Sequence, residues 1–281
     1  MAELLRGAPV AAAIREDLKA RSAALRARGV TARLALVRVG DNPDDLYYES
    51  SLRRGCESIG AQTEHILLPG SSPRGALIEA LHRVSEDPTL HGCLLLRPLP
   101  EELSCFAVYD ALCAGKDLDG MTSISLGELF SGRPGAFAPC TADAVMALLR
   151  HYGIDPAGKR AVVLGRSLVV GRPLAQLLMN ADATVTVCHT QTRDLAAVCR
   201  EAELLITATG CPGLVGEKLL RPGQIVIDIG TTAIDGTLHG DVDPVAAEAT
   251  AAAFTPVPGG VGAVTTALVL RHLIEAAERS R

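Results

Sequence analysis

The stretch Ala161-Val-Val-Leu-Gly-Arg-Ser-Leu-Val-Val-Gly-Arg-Pro173 constrains the fold more than any other part of the chain. An apolar, β-branched run stops at Gly165, turns through Arg166 and Ser167, and passes into a helical pattern at Gly171-Arg172-Pro173. A strand, a tight loop and a helix N-terminus therefore follow one another. Open backbone N–H groups and the positive end of a helix dipole meet at such a junction, which suits it to an anion such as a dinucleotide's phosphate.

The flanking sequence repeats the pattern. Residues 184–189, 204–209 and 224–230 read as strands, and residues 171–180 and 194–201 have helical spacing. This alternation builds a Rossmann-like parallel sheet. Upstream, residues 33–39, 63–68 and 93–96 read as strands, and residues 9–27, the stretch after Pro43 to about residue 59, and residues 73–84 as helices. A loop-rich stretch over 132–139 closes this first unit, and a helix over 141–152 opens the second. A last helix over 263–279 packs back on the first unit in this reading. The expected class is α/β with two domains: an N-terminal substrate domain of residues 1–140 and 263–281, and a Rossmann-like dinucleotide-binding domain of residues 141–262.

Bulk properties narrow the function. The 281 residues, 48% of them hydrophobic, suffice for two cores. A net charge of −5 without a basic run argues against nucleic acid. No apolar run is long enough to cross a membrane. Arg6 and Arg15 around an Ala-rich stretch read as an amphipathic helix, not a signal peptide. The eight cysteines form no Cys-x-x-Cys pair and the seven histidines have no ligand spacing. Reduced core thiols in a cytoplasmic protein, with no metal site, are expected.

Several separate segments agree on one family. They are Val39-Gly-Asp-Asn-Pro43 with Tyr48, Gly92 with Pro98-Leu-Pro100, Lys116-Asp-Leu-Asp-Gly120, Pro139-Cys-Thr141, Gly165-Arg-Ser167 with Val170-Gly171 and Pro173, and Pro256-Val-Pro-Gly-Gly-Val-Gly262. In this order and spacing the chain resembles the methylenetetrahydrofolate dehydrogenase/cyclohydrolase (FolD) family over almost its whole length. The resemblance implies oxidation of 5,10-methylenetetrahydrofolate to the methenyl form with NADP⁺, then hydrolysis to 10-formyltetrahydrofolate. It also implies an active-site cleft between the domains, and a homodimer.

Departures from the family fall at its chemical centre. Family members carry Ser, Tyr and Lys at i, i+3 and i+7 of one helix, positions that share a face. Here these are Asp45, Tyr48 and Leu52, and the family's Gln before Pro-Leu-Pro is Leu96. Arg97 follows, but strand neighbours point to opposite faces. Arg53 and Arg54 read as solvated charges off the helix face. Hydride transfer needs mainly alignment, whereas hydrolysis needs a group that moves protons. Dehydrogenation is therefore expected to persist, with the cyclohydrolase step weak or lost. The alternatives are a fully bifunctional enzyme, in which Asp45 or ordered water replaces the Lys, and a catalytically silent folate- or nucleotide-binding homologue. Asp45 is a replacement base or electrostatic stabiliser on one reading and a helix N-cap on the other, where Asp44 competes.

The remaining site residues come from the resemblance. Tyr48 packs over or hydrogen-bonds the folate ring system, and Asp119 takes the pterin's amino and ring N–H donors. Lys116 and Asp117 pair structurally or join them. Pro258, Gly259, Gly260 and Val261 form a loop near folate and nicotinamide, and Thr265 touches a ligand or supports the turn. Gly165, Arg166, Ser167 and Gly171 face the cofactor phosphates. His189 and Thr190 stand at the end of the next strand, where no carboxylate is present to repel a 2′-phosphate; NADP is thus expected over NAD. Thr209 and Ile229 are expected to supply backbone contacts.

Overall fold

A computed structural model describes residues 2–280. Its elements begin with β1 (Glu3–Leu4), α1 (Gly7–Ala27), β2 (Arg33–Val39), α2 (Pro43–Ile59), β3 (Gln62–Leu68), α3 (Arg74–Glu86), β4 (Gly92–Leu95), α4 (Phe106–Tyr109), α5 (Ser123–Phe130) and α6 (Cys140–His151). They continue with β5 (Arg160–Leu164), α7 (Gly171–Asn180), β6 (Thr184–Cys188), α8 (Leu195–Glu201), β7 (Leu204–Thr207), β8 (Ile225–Asp228), β9 (Thr232–Ile234), β10 (Thr237–His239), α9 (Pro244–Thr250), β11 (Ala253–Phe254) and α10 (Gly262–Arg279). One unit comprises Ala13–Cys140 and the chain from Thr266 onward; the other comprises the chain up to Ala12 and Thr141–Thr265. This differs from the expected division at the N-terminus. There β1 joins the second unit by pairing in parallel with β11, Glu3 beside Ala253 and Leu4 beside Phe254.

In the first unit a parallel sheet runs β3-β2-β4. Leu34, Ala35, Leu36 and Val37 of the central strand are fully buried. An unbroken apolar run is what a strand covered on both faces requires. Leu77, Leu81 and Val84 of α3 pack under it with Leu103 and Val108. Helix α2 is held at both ends. Asn42 accepts from the Asp44 N–H at 3.0 Å, and Gly60, at φ 76°, donates back to Cys56 and Glu57.

The second unit holds a six-stranded sheet of order β1-β11-β8-β7-β5-β6, and β9 and β10 form a separate hairpin. After β5 the chain goes to β6 on one side and then returns to β7 on the other. Such a reversal opens a crevice at the strand's carboxyl end, the usual ligand position in a doubly wound sheet. Val162, Leu164, Leu205 and Val226 carry its core. No helix among the described residues is long and apolar enough to cross a membrane.

Candidate active site

The glycine loop forms as its residue types demand. Gly165, at φ 107°, ends β5 so close to the neighbouring loop that a Cβ would lie 2.4 Å from the Ala208 carbonyl oxygen. At Gly171 a Cβ would lie 2.2 Å from the Gly165 carbonyl oxygen. The Ser167 hydroxyl accepts from the N–H groups of Val170 at 3.1 Å and Gly171 at 3.4 Å, and so ties the loop to the start of α7. A cavity of about 490 Å³ opens here, lined by Gly165, Arg166, Ser167, His189, Thr190 and Thr209 among others. Among the described residues no carboxylate is on its wall. Gly171 and Ile229 are not on it either; Gly171 shapes the loop from behind, and the Ile229 N–H is used by the Thr207 carbonyl. Close backbone approach, a helix N-terminus and Arg166 together fit the phosphates of a dinucleotide.

Two buried acids organise the cavity wall, and sequence reasoning missed both roles. Asp241 is fully buried and accepts from the Thr207 hydroxyl, the Thr209 N–H and hydroxyl, and the Cys211 N–H, at 2.6–2.9 Å. Asp228 accepts from the N–H groups of Gly230, Asp241 and Val242. The sequence signal was Asp228 closing a strand two residues before a glycine, with a Gly-Asp pair at 240–241. A Cβ at Gly240 would lie 2.0 Å from an Asp228 oxygen, and one at Gly230 would lie 2.2 Å from an Asp241 oxygen.

Burial pushes the Asp228 carboxyl up to about 6 against its three N–H donors. A carboxyl raised in the folded state favours folding when protonated. That contribution is complete below the unfolded value and is lost as pH rises through about 6. Wild-type stability relative to Asp228→Asn is therefore expected to fall by about 2 kcal/mol between pH 4 and 7, as read by urea unfolding. A pH-independent difference would contradict this.

In the first unit, the α2 face carries Asp45, Glu49, Leu52, Cys56 and Ile59 inward. The cap reading of Asp45 is overturned. Asn42 caps the helix and Pro43 occupies its first position, which leaves Asp45 in the first turn and buried. Burial raises the Asp45 carboxyl above its ordinary range, and Arg38 partly offsets this. Arg38 donates to Glu49 at 2.8 Å, and Glu49 also meets His65. Leu52 and Leu96 are both buried. Tyr48 is half-buried; desolvation pushes its hydroxyl well up, and among the described residues that hydroxyl has no hydrogen-bond partner. Arg53 pairs with Glu57 and Arg54 with Ser50 at the surface.

Asp119 accepts from the Cys140 N–H at 3.0 Å through Oδ1 and from Arg97 through Oδ2. This corrects the expectation that Arg97 faces away. Strand β4 ends at Leu95, so strand alternation does not govern residue 97. Lys116 and Asp117 do not pair. Lys116 donates to the carbonyls of Val84, Ser85 and Asp87, and Asp117 accepts from the Thr122 N–H.

The loop of residues 256–262 belongs to the second unit. Gly259, at φ 103°, is exposed beside Pro258, and its carbonyl accepts from the Gly7 N–H. Gly260 and Val261 are buried; a Cβ on Gly260 would lie 2.5 Å from the Pro256 carbonyl oxygen. The Thr265 hydroxyl donates to the Val261 carbonyl at 3.4 Å, which supports the turn.

Residues 5–119 match the model of the tetrahydrofolate dehydrogenase/cyclohydrolase catalytic domain, and residues 139–281 match that family's NAD(P)-binding domain. The chain belongs to the tetrahydrofolate dehydrogenase/cyclohydrolase family. It is 45% identical to the bifunctional protein FolD of Carboxydothermus hydrogenoformans, over 99% of this chain and 98% of that one. It is 46% identical to the bifunctional protein FolD of Nocardia farcinica, with the same coverage. Among solved structures, the bifunctional FolD methylenetetrahydrofolate dehydrogenase/cyclohydrolase of Campylobacter jejuni superposes with a TM-score of 0.96 at 37% identity, covering 99% of both chains. FolD of Trypanosoma brucei, complexed with NADP cofactor and an inhibitor, gives 0.93 at 35% identity, over 99% of this chain and 98% of that one. The FolD names of these relatives support the two-step reading over the expected loss of hydrolysis.

Proposed function

We propose that this chain oxidises 5,10-methylenetetrahydrofolate with NADP⁺ and hydrolyses the methenyl product to 10-formyltetrahydrofolate, with Asp45 handling protons in the second step. A homodimer working in the cytoplasm belongs to the same reading, on the strength of the family resemblance.

NADP⁺, when bound, would supply the acceptor for the hydride of the folate's bridging carbon. Gly165 and Ser167 at the start of α7 would hold its pyrophosphate, and Arg166 with Thr190 would take the 2′-phosphate, since among the described residues no acid lines the cavity to repel it. His189 and Thr209 complete the wall, with Ile229 behind it. In Gly171→Ala the new methyl group meets the Gly165 carbonyl, so KM for NADP⁺ is expected to rise about tenfold or more with KM for folate unchanged. Steady-state kinetics with each substrate varied checks this.

Asp119 offers its carboxylate to the pterin's amino and ring N–H donors, and Tyr48 brings a ring face and an unpartnered hydroxyl. Pro258 and Gly259 allow close backbone approach. Hydrolysis needs two proton movements: one off the attacking water, and one from the resulting hydroxyl to N5 as the carbon–N5 bond breaks. A carboxyl raised by burial can take up and return such protons.

The observation that carries this reading is the burial of Asp45 on the inward face of α2. Of positions 45, 52 and 96, it alone has an ionisable side chain. A second reading, dehydrogenation without hydrolysis, draws on the burial of leucine at 52 and 96. Following methenyl absorbance and reduced cofactor separately tests both. The proposal expects protein-dependent decay of methenyl folate, and decay at the enzyme-free rate contradicts it.

A further inference from the structure

We propose that Arg97 is a specificity-determining residue of the folate site, and that its guanidinium donates to the pterin ring carbonyl beside the two donors taken by Asp119. This rests on the folate reading above. Arg97 spends one N–H on Asp119 Oδ2, and among the described residues its other N–H groups have no partner. An arginine carries five donors in a planar fork and accepts nothing. The side chains of Arg97 and Asp119 are 18% and 19% exposed, so a ligand reaches both, and neither is dispersed into bulk solvent. The Cys140 N–H fixes the second carboxylate oxygen from the other side.

The pair therefore presents an acceptor and a donor side by side. The 4-oxo pterin edge presents an exocyclic amino group, a ring N–H and a ring carbonyl in sequence. The carboxylate suits the first two and the guanidinium suits the third. A ring with an amino group in place of the carbonyl puts a donor against the guanidinium and, having lost its ring N–H, a lone pair against Asp119, so the pair selects the oxo form. A site built to hydrogen-bond a group rejects an analogue lacking it far more strongly than an apolar site does. Asp119 alone already favours the oxo ring through the ring N–H, so the role of Arg97 shows in whether its substitution changes that preference; a merely structural Arg97 leaves the preference unchanged.

The test is isothermal titration of the full-length protein with tetrahydrofolate and with its 4-amino-4-deoxy counterpart. Wild type is expected to prefer the oxo form by about tenfold or more. Arg97→Met should weaken tetrahydrofolate binding about tenfold and move the 4-amino ligand by less than about threefold. Arg97→Lys keeps the charge against Asp119 but loses the fork, so its preference should also fall, which carries the test if the Met variant does not fold. Equal weakening of both ligands in these variants, or an unchanged preference, overturns the role of Arg97. Failure of wild type to bind tetrahydrofolate at all overturns the folate reading itself.

Discussion

Asp45→Asn is expected to lower methenyl hydrolysis by about a hundredfold or more while leaving hydride transfer within about threefold. Asparagine keeps the size of the side chain and removes its titration. The substituted position lies on the buried face of α2, beside Arg38 and Glu49. Helix capping does not confound the result, since Asn42 supplies the cap. The wild-type pH profile carries a second signature. Burial raises the Asp45 carboxyl, and the carboxylate form is the base. Hydrolysis should therefore fall on acidification at a pH above the ordinary aspartate range, and the variant should lack that limb. Equal loss of both half-reactions would assign Asp45 to structure instead.

Asp241→Asn is expected to destabilise the full chain by about 4 kcal/mol and to raise KM for NADP⁺ about tenfold or more. One buried carboxylate receives four donors from residues 207–211, three of them on Oδ2. An amide in its place turns a donor toward donors and leaves buried groups unpaired. Thr209 and Cys211, which Asp241 holds, line the nucleotide cavity, whereas Asp241 itself does not. The cofactor KM should therefore move while the tetrahydrofolate Kd does not. Urea unfolding reads the first effect and kinetics the second. A variant of wild-type stability, or one that loses affinity for both ligands alike, would contradict the positioning role.

Much of the fold was legible because its signals are local. The β5 strand, the Gly165 turn and the α7 start each follow from adjacent residues, as does the burial of β2 from its unbroken apolar run. The pairing of β1 with β11 was not legible, since two residues carry no period and their partner lies some 250 positions away in the chain. The same limit explains Arg97. Alternation holds only inside a strand, and β4 stops at Leu95, a boundary that composition does not mark. Asp45 was placed on the correct helix, but its burial depends on which residue caps that helix. Asn42, Asp44 and Asp45 are all good caps by type, and the position of Pro43 favours Asn42. The Asp241 cluster is a contact of four loop donors that only the folded sheet brings together.

The most direct measurement is a two-wavelength assay of the purified chain with 5,10-methylenetetrahydrofolate and NADP⁺, run beside Asp45→Asn. Reduced cofactor and the methenyl chromophore are followed separately. The expected result is cofactor reduction by both proteins, with methenyl folate decaying faster than the enzyme-free control only in wild type. Methenyl folate that persists at the enzyme-free rate with wild type, or a chain that reduces no cofactor, would contradict the account.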